Sequence, residues 1–199
     1  MQPLFLALIL LLQVALATAA PAHDLVAAAK SQVGVTVRYD SSYERIAYPG
    51  GDVPLERGVC TDVVVRAFRA TGIDLQELVH KDMRRAWSAY PKKWGHRKPD
   101  TNIDHRRVPN LETFFTRHGL ALGVSNKASD YLPGDIVVWS VPPNLPHIGI
   151  VADQRSAAGI PLVIHNIGQG ARMEDALFVY TITGHYRYPR PKSMAQASR

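Results

Sequence analysis

Cys60 is the only cysteine in the 199-residue chain, and its surroundings favour a chemical role. Arg57-Gly58 precedes it and Thr61-Asp62 follows it, so it lies in a polar turn at the start of a helical apolar pattern. A thiol attacks a carbonyl as thiolate, and the N–H groups of a helix start stabilise both a thiolate and the oxyanion that the attack produces. The sequence therefore predicts a nucleophile, with a buried inert thiol as the alternative.

Two histidines further along the chain could complete such a site. His147 begins an apolar strand pattern directly after a Pro-rich turn, and His165 ends the next strand pattern. The first imidazole would act as general base, and the second, on an adjacent strand, would orient it. Each histidine taken singly is more typical of a structural residue, but their joint order predicts the catalytic set Cys60, His147 and His165.

The elements that must position these residues change character along the chain. Helical spacing extends over residues 60–70, and a broken helical pattern with several prolines follows over residues 73–119. Four β-rich runs come next, at residues 135–139, 147–151, 162–165 and 178–180. Helices followed by strands predict an α+β domain, with N-terminal helices packed on an antiparallel sheet and a helical insertion between the nucleophile helix and the sheet.

The chain ends indicate export of a single domain. Residues 1–20 are uncharged, with an apolar run followed by small residues, which predicts a signal peptide; a retained membrane anchor is the alternative. We expect one domain over residues 24–188 and a disordered tail over residues 189–199. The mature protein would then be periplasmic or secreted, without stable membrane insertion.

The charge of the chain limits its partners. The formal net charge of +6 favours an anionic partner such as a cell-wall polymer. The basic residues are scattered, which argues against nucleic-acid binding. No cofactor or metal is implied by the catalytic interpretation.

Five short segments follow one another in an order that characterises a known superfamily: Tyr48-Pro49-Gly50-Gly51, Val59-Cys60-Thr61-Asp62, Pro133-Gly134-Asp135, His147-Ile148-Gly149 and Ile164-His165. This order resembles the NlpC-type cell-wall cysteine peptidases, although Val-Cys-Thr-Asp replaces their Asp-Cys-Ser-Gly. Residues 48–65, 100–119 and 147–168 are more closely similar to the bacterial domain-of-unknown-function family 1287, which groups with that superfamily.

The resemblance implies a papain-like fold and hydrolysis of an amide bond, in peptidoglycan stem peptides, through a thioester on Cys60 with His147 as general base. Tyr48 resembles, by position, the tyrosine that lines the active site of that superfamily. Asp62 is a further candidate near the oxyanion, although a first-turn helix carboxylate is its simpler interpretation because its charge opposes thiolate formation. Asp104 and His105 are candidate substrate-binding residues, with a solvated loop held by its own ion pairs as the alternative.

Two other functions are compatible with the same residues. Cys60 and the two histidines could form a three-ligand zinc site, although the chain lacks a short ligand pair such as H-x-x-x-H. A non-catalytic cell-wall binding module could instead use aromatic residues to stack on sugar rings. The aromatic candidates are Tyr39, Tyr43, Tyr48, Trp87, Tyr90 and Trp94.

Overall fold

A computed structural model describes residues 20–188, with side chains described from residue 24 onward. The predicted signal peptide, apart from Ala20, and the predicted tail over residues 189–199 lie outside the described residues. Within the described part of the chain, no helix combines the length and apolar character needed to cross a membrane.

Four helices and a main sheet of six strands form the described part of the chain. The helices are α1 (Ala20–Lys30), α2 (Cys60–Ala70), α3 (Leu75–Arg85) and α4 (Val108–His118). The strands are β1 (Arg38–Tyr39), β2 (Arg57–Gly58), β3 (Leu120–Ala121), β4 (Ile136–Val141), β5 (Leu145–Arg155), β6 (Pro161–Asn166), β7 (Ala171–Glu174) and β8 (Thr181–Arg187). The main sheet is antiparallel with the order β3-β8-β4-β5-β6-β7, and β1 pairs with β2 in a separate parallel ladder. The predicted α+β class is confirmed.

The sheet has apolar residues on both faces, and alternation along β4 shows why. Ile136 and Val138 are fully buried against the helices, whereas Val137 and Trp139 are buried on the opposite face. Helix α2 packs against β5 and β6 on the first face, with almost every residue from Cys60 to Phe68 buried. The site residues of α2 and of the sheet are therefore joined through one continuous core.

The predicted strand at residues 178–180 is wrong. These residues form a turn, in which the Val179 N–H donates to the carbonyl of Ala176 at 3.2 Å, and β8 begins only at Thr181. The turn covers the second face of the sheet, because Leu177 is fully buried there and its carbonyl accepts the indole N–H of Trp139 at 2.9 Å. An apolar triplet in a covering turn has the same local pattern as a short buried strand.

The predicted helical insertion is confirmed by α3 and α4, which are separated by a long irregular segment. The Asp82 carboxylate of α3 joins the two helices, because it accepts hydrogen bonds from Arg117 at 2.7 Å and lies 2.9 Å from His118. Tyr90, in the intervening segment, donates its hydroxyl to the same carboxylate at 2.7 Å. The insertion is thus a packed part of the domain.

A buried carboxylate fixes the start of the sheet. Asp135, fully buried before β4, accepts hydrogen bonds from Arg187 at 2.6 and 2.8 Å and from the backbone N–H of Leu132 at 2.9 Å. His185 lies 2.8 Å from the same carboxylate and stacks on Tyr131 with 4.3 Å between ring centroids. Burial opposes ionisation of Asp135, but the bonds from His185 and Arg187 hold its pKa below the usual range.

Asp135→Asn is expected to lower the free energy of unfolding by about 3 kcal/mol, because it removes the buried carboxylate that pairs with half-buried Arg187 and contacts buried His185. Urea denaturation at neutral pH measures this loss, and the exposed Asp130→Asn serves as the matched control. The folded pKa of Asp135 is depressed, so its stabilisation is complete above the ordinary aspartate range and disappears as the pH falls through the folded value. An Asp135→Asn variant as stable as the control would contradict this stabilising role of Asp135.

Candidate active site

Cys60 is the first residue of α2 and its thiol is buried, with 4% of the residue exposed. The backbone N–H groups of Ile148, Thr61 and Cys60 itself point to the sulfur and favour the thiolate. Burial outweighs them and, together with the nearby Asp62 charge, raises the pKa of the Cys60 thiol to about 12. The helix start is present as predicted, but the free protein keeps a neutral thiol, whereas the sequence predicted a readily formed thiolate.

His147 and His165 form a direct pair beside Cys60. Ile148, whose N–H reaches the Cys60 sulfur, is the residue after His147, so the thiol lies against this part of β5. The Nε2 atom of His147 lies 2.8 Å from the Nδ1 atom of His165 on the neighbouring strand β6. The structure therefore brings the three predicted catalytic residues into one region, and it leaves the Nδ1 atom of His147 as the ring nitrogen not used by His165.

The packing around the two imidazoles fixes their orientation. Trp139 on β4 lies beside both rings, with centroid distances of 5.7 Å to His147 and 6.2 Å to His165. Gly149 leaves the necessary space, because a Cβ atom there would lie 2.9 Å from the carbonyl oxygen of Ile164 and 3.0 Å from the Cβ atom of His165. The glycine in the segment His147-Ile148-Gly149 is thus required by close packing of β5 on β6.

Burial keeps both imidazoles neutral. It lowers the pKa of His147 to about 3, and the neighbouring His165 contributes to the same direction. Burial also lowers the pKa of His165, although Glu174 opposes this shift. The thiol and the two imidazoles are therefore all uncharged at neutral pH.

Glu174 is a polar neighbour of this pair that the sequence did not reveal. Its Oε2 atom lies 3.1 Å from the Nε2 atom of His165, so the chain of contacts continues from β6 to the edge strand β7. Strand β7 has the sequence Ala-Arg-Met-Glu, which is short and half polar and gives a weak strand pattern. Only the three-dimensional pairing of β6 with β7 indicates a role for this carboxylate.

Asp62 is fully engaged in structural contacts. Its Oδ2 atom accepts the Val59 N–H at 2.7 Å, which caps the first turn of α2, where Val59 itself offers no capping side chain. Its two oxygens also accept hydrogen bonds from the Nε atom and a terminal nitrogen of Arg106, at 2.9 and 3.0 Å. Both residues are buried. The structure thus assigns Asp62 to the helix start: a carboxylate has no hydrogen to donate to an oxyanion, and its buried oxygens are bound to Val59 and Arg106.

Arg106 connects the insertion to the catalytic region. Besides Asp62, it donates to the carbonyl oxygens of Ser42 at 2.9 Å and Asp40 at 3.1 Å, in the segment that follows Tyr39. One guanidinium therefore joins the insertion, the start of α2 and the segment that carries Tyr39. Sequence reasoning missed this contact because Arg106 and Asp62 are separated by 44 positions.

Tyr39 lies next to the segment that leads to Cys60, whereas the predicted Tyr48 packs against His80. Burial raises the pKa of Tyr39 to about 12, and the neighbouring Cys60 and Asp62 contribute to the same direction. The ring of Tyr48 instead meets His80 edge-on, with 5.1 Å between centroids. Because β1 pairs Tyr39 with Gly58 on β2, two residues before the nucleophile, the structure places this tyrosine at the site.

Two further polar residues hold the segment that precedes Cys60. The fully buried Asn166, which ends β6, donates to the carbonyl oxygen of Gly58 at 2.9 Å and accepts the Gly170 N–H at 3.1 Å. Arg66 on α2 binds Asp52 at 2.8 and 3.0 Å and donates to the carbonyl oxygen of Arg57 at 3.0 Å. The approach to Cys60 is thereby tied both to the sheet and to α2.

Asp104 and His105 are buried and make their contacts away from the thiol. Asp104 accepts the Asp100 N–H at 2.5 Å and lies 3.3 Å from Arg107, within the insertion. Burial, with the charges of Arg106 and Arg69, lowers the pKa of His105 to about 3. The alternative was right that the segment holds its own ion pair and wrong that it is solvated. The structure shows no contact of either residue with Cys60.

The structure also bears on the zinc interpretation. Among residues 20–188, no group of three His, Cys, Asp or Glu side chains is arranged to hold a metal ion. The nearest nitrogens of His147 and His165 are directed at each other at 2.8 Å, an arrangement that uses one ring nitrogen of each residue.

The fold and the site together define an α+β protein in which a cysteine at a helix start lies against β5 at Ile148, the residue after His147, and His147 is paired with His165 on the adjacent strand. Residues 26–188 match the family described as "Domain of unknown function (DUF1287)", and the chain belongs to this family. The membership expected from the sequence is confirmed.

Two individual proteins show what the chain is similar to. The uncharacterized protein YijF of Escherichia coli (strain K12) is 56% identical over 160 residues, which are 80% of this chain and 78% of that protein. The structure of NlpC1 from Trichomonas vaginalis superposes with a TM-score of 0.48 at 16% identity and covers 84% of this chain. The chain spans 44% of the length of that structure.

Removing Arg106 is expected to destabilise the protein strongly, because it leaves the buried Asp62 carboxylate without its counter-ion. Arg106→Leu should lower the free energy of unfolding by about 3–5 kcal/mol. The double variant with Asp62→Asn should lose clearly less than the sum of the two single variants, since the uncompensated charge is then absent. Urea denaturation of the four proteins measures the coupling, and additive losses would contradict a direct ion pair.

The Cys60 thiol is expected to resist alkylation at neutral pH. The rate of reaction with iodoacetamide should keep rising beyond pH 10, because the folded pKa is about 12. In urea the same thiol should titrate near its ordinary value of about 8.5. Mass spectrometry of the modified protein against time and pH gives both profiles. A folded-state profile with a midpoint below pH 8 would contradict the buried neutral thiol.

Proposed function

We propose that this protein is an exported cysteine hydrolase that cleaves an amide bond in peptidoglycan stem peptides. The observation that carries the proposal is the arrangement at α2, β5 and β6: a thiol at a helix start lies against β5 at Ile148, and the preceding residue is a histidine whose Nε2 atom is held at 2.8 Å by a second histidine. This is the nucleophile, base and orienting group that covalent acyl transfer requires.

The first chemical step transfers the Cys60 proton to the Nδ1 atom of His147 while the sulfur attacks the carbonyl carbon. The resulting imidazolium donates through Nε2 to His165, which holds the ring in place. The carbonyl oxygen becomes an oxyanion, and the backbone N–H groups at the start of α2 are the donors available to it. Collapse of this intermediate expels the amine, which takes the proton from His147, and leaves a thioester on Cys60.

Water completes the reaction. His147 is then neutral and accepts a proton from the attacking water, and a second oxyanion forms at the same carbonyl. Its collapse releases the carboxylic acid and returns the proton to the thiolate of Cys60. The chain of residues thus returns to its neutral resting state without a cofactor.

The neutral resting state suits a thiol that must not react without substrate. With the pKa of Cys60 near 12 and that of His147 near 3, the ion pair is strongly disfavoured in the free protein. Proton transfer therefore accompanies attack on a bound carbonyl, where the developing charges stabilise each other. An exposed thiolate would be oxidised in the compartment to which a signal peptide directs the chain.

Several sequence features support the substrate class and the location. The order of the motifs resembles that of cell-wall cysteine peptidases, and residues 1–20 have the pattern of a signal peptide. The net charge of +6 favours stem peptides, which carry carboxylates. These features support a substrate in the periplasm or outside the cell.

Incubation with purified muropeptides tests the proposal. The wild-type protein should convert at least one muropeptide into two fragments that differ from it by one water, and Cys60→Ser and His147→Gln should abolish turnover. His96→Gln, a substitution outside the site, is the matched control. Mass spectrometry of the products identifies the bond. Full turnover by Cys60→Ser would refute a cysteine mechanism, and specific binding of muropeptides without cleavage by any protein would favour a binding module.

A further inference from the structure

The carboxylate of Glu174 ends a line of two contacts that begins at His147, the residue before Ile148, whose backbone N–H reaches the Cys60 thiol. His147 Nε2 contacts His165 Nδ1 at 2.8 Å, and His165 Nε2 contacts Glu174 Oε2 at 3.1 Å. We propose that Glu174 is a positioning residue that sets the tautomers of both histidines, and this inference deepens the proposed cysteine hydrolysis and rests on it.

The tautomers follow from the chemistry of the last group. An ionised carboxylate only accepts hydrogen bonds, so the Nε2 atom of His165 must carry the proton. A neutral imidazole has one N–H, which leaves the Nδ1 atom of His165 as an acceptor. His147 must then donate to it from Nε2. One charged oxygen on β7 therefore dictates the proton positions on two strands.

The consequence for the reaction lies at the other nitrogen of His147. With its proton on Nε2, this ring has an unprotonated Nδ1 atom, the nitrogen that His165 does not use. That lone pair is the base that the Cys60 thiol needs. In the opposite tautomer His147 would carry its proton on Nδ1 and could not accept another there, so attack by the sulfur would lose its base.

The surroundings of the three residues support this direction of hydrogen bonding. His147 and His165 are 5% and 2% exposed, so solvent offers little alternative for their nitrogens. The Glu174 side chain is 37% exposed and lies 3.6 Å from the guanidinium of Arg172, at the rim of the sheet. A carboxylate at the rim of the sheet thus acts on a base in its interior.

Glu174 also favours the charged state of the reaction. When His147 receives the thiol proton, the positive charge is shared along its hydrogen bond to His165 and faces the Glu174 carboxylate. Burial disfavours this charge on both rings by lowering their pKa values. Glu174 is the group that opposes this effect on the pKa of His165. Removal of the carboxylate should therefore slow the chemical step more than it weakens substrate binding.

Two substitutions separate the hydrogen bond from the charge. Glu174→Gln retains an amide oxygen that can accept from His165 but has no charge, whereas Glu174→Leu removes both. Glu77→Gln removes one carboxylate from α3, outside the site, and is the matched control. Each protein is labelled with nitrogen-15 in its histidines, and long-range proton–nitrogen correlation spectra report the tautomer of each ring. Spectra of His147→Gln and His165→Gln provide the assignments.

We expect both rings to carry the proton on Nε2 in the wild type, in Glu174→Gln and in Glu77→Gln. In Glu174→Leu, His165 should populate the other tautomer, and His147 should shift with it. Wild-type spectra with the proton on Nδ1 of either ring, or a Glu174→Leu spectrum identical to the wild type, would overturn the inference. These spectra need no substrate, so their outcome is independent of whether muropeptides are cleaved.

Kinetics on any muropeptide that the wild type cleaves provides the second readout. Glu174→Leu should lower kcat about tenfold or more while KM changes little, and Glu174→Gln should lie between it and the wild type. A purely structural role would lower the melting temperature and leave kcat of the remaining folded protein unchanged. Cleavage with a wild-type kcat in folded Glu174→Leu would overturn the inference and leave the proposed function standing.

Discussion

The buried ion pair between Asp62 and Arg106 holds the start of the cysteine-bearing helix, and the remaining contacts of the site depend on that helix start. Asp62 caps the first turn through the Val59 N–H, and Arg106 neutralises the charge that the cap introduces beside the thiol. The same guanidinium fixes the carbonyl oxygens of Asp40 and Ser42. An insertion that interrupts the chain between the helix and the sheet is in this way a structural component of the site.

Burial is the second constraint, and it reverses the usual argument for a cysteine at a helix start. Three backbone N–H groups favour the Cys60 thiolate, yet removal of solvent is the larger effect and raises its pKa to about 12. The same effect lowers the pKa of His147 to about 3. Both groups are therefore neutral in the free protein, and in the proposed mechanism the proton moves only as the sulfur attacks a carbonyl. The orientation of His147 consequently matters more than its basicity in the free protein.

Much of this architecture was predictable from local patterns, and the rest depends on contacts between distant residues. Helical spacing identified the helix that begins at Cys60, and two apolar runs with terminal histidines identified the pairing of β5 with β6. Tyr39 and Glu174 were missed because each reaches the site through a short, polar strand with little periodicity. Asp62 has a local signal as a first-turn carboxylate, but its partner Arg106 lies 44 positions away. At residues 178–180 the sequence predicted a strand where the structure has a turn, because an apolar triplet that covers a sheet has the same local pattern as a strand.

The central claim, that Cys60 forms a covalent intermediate with the help of His147, is tested most directly by trapping that intermediate. Wild-type protein mixed briefly with muropeptides and quenched in acid should show a mass increase equal to the acyl fragment, located on the peptide that contains Cys60. Cys60→Ala should show no increase, and His147→Gln should show a much slower one. Turnover of muropeptides by the wild type with no adduct at any time, and equal turnover by Cys60→Ala, would contradict the account.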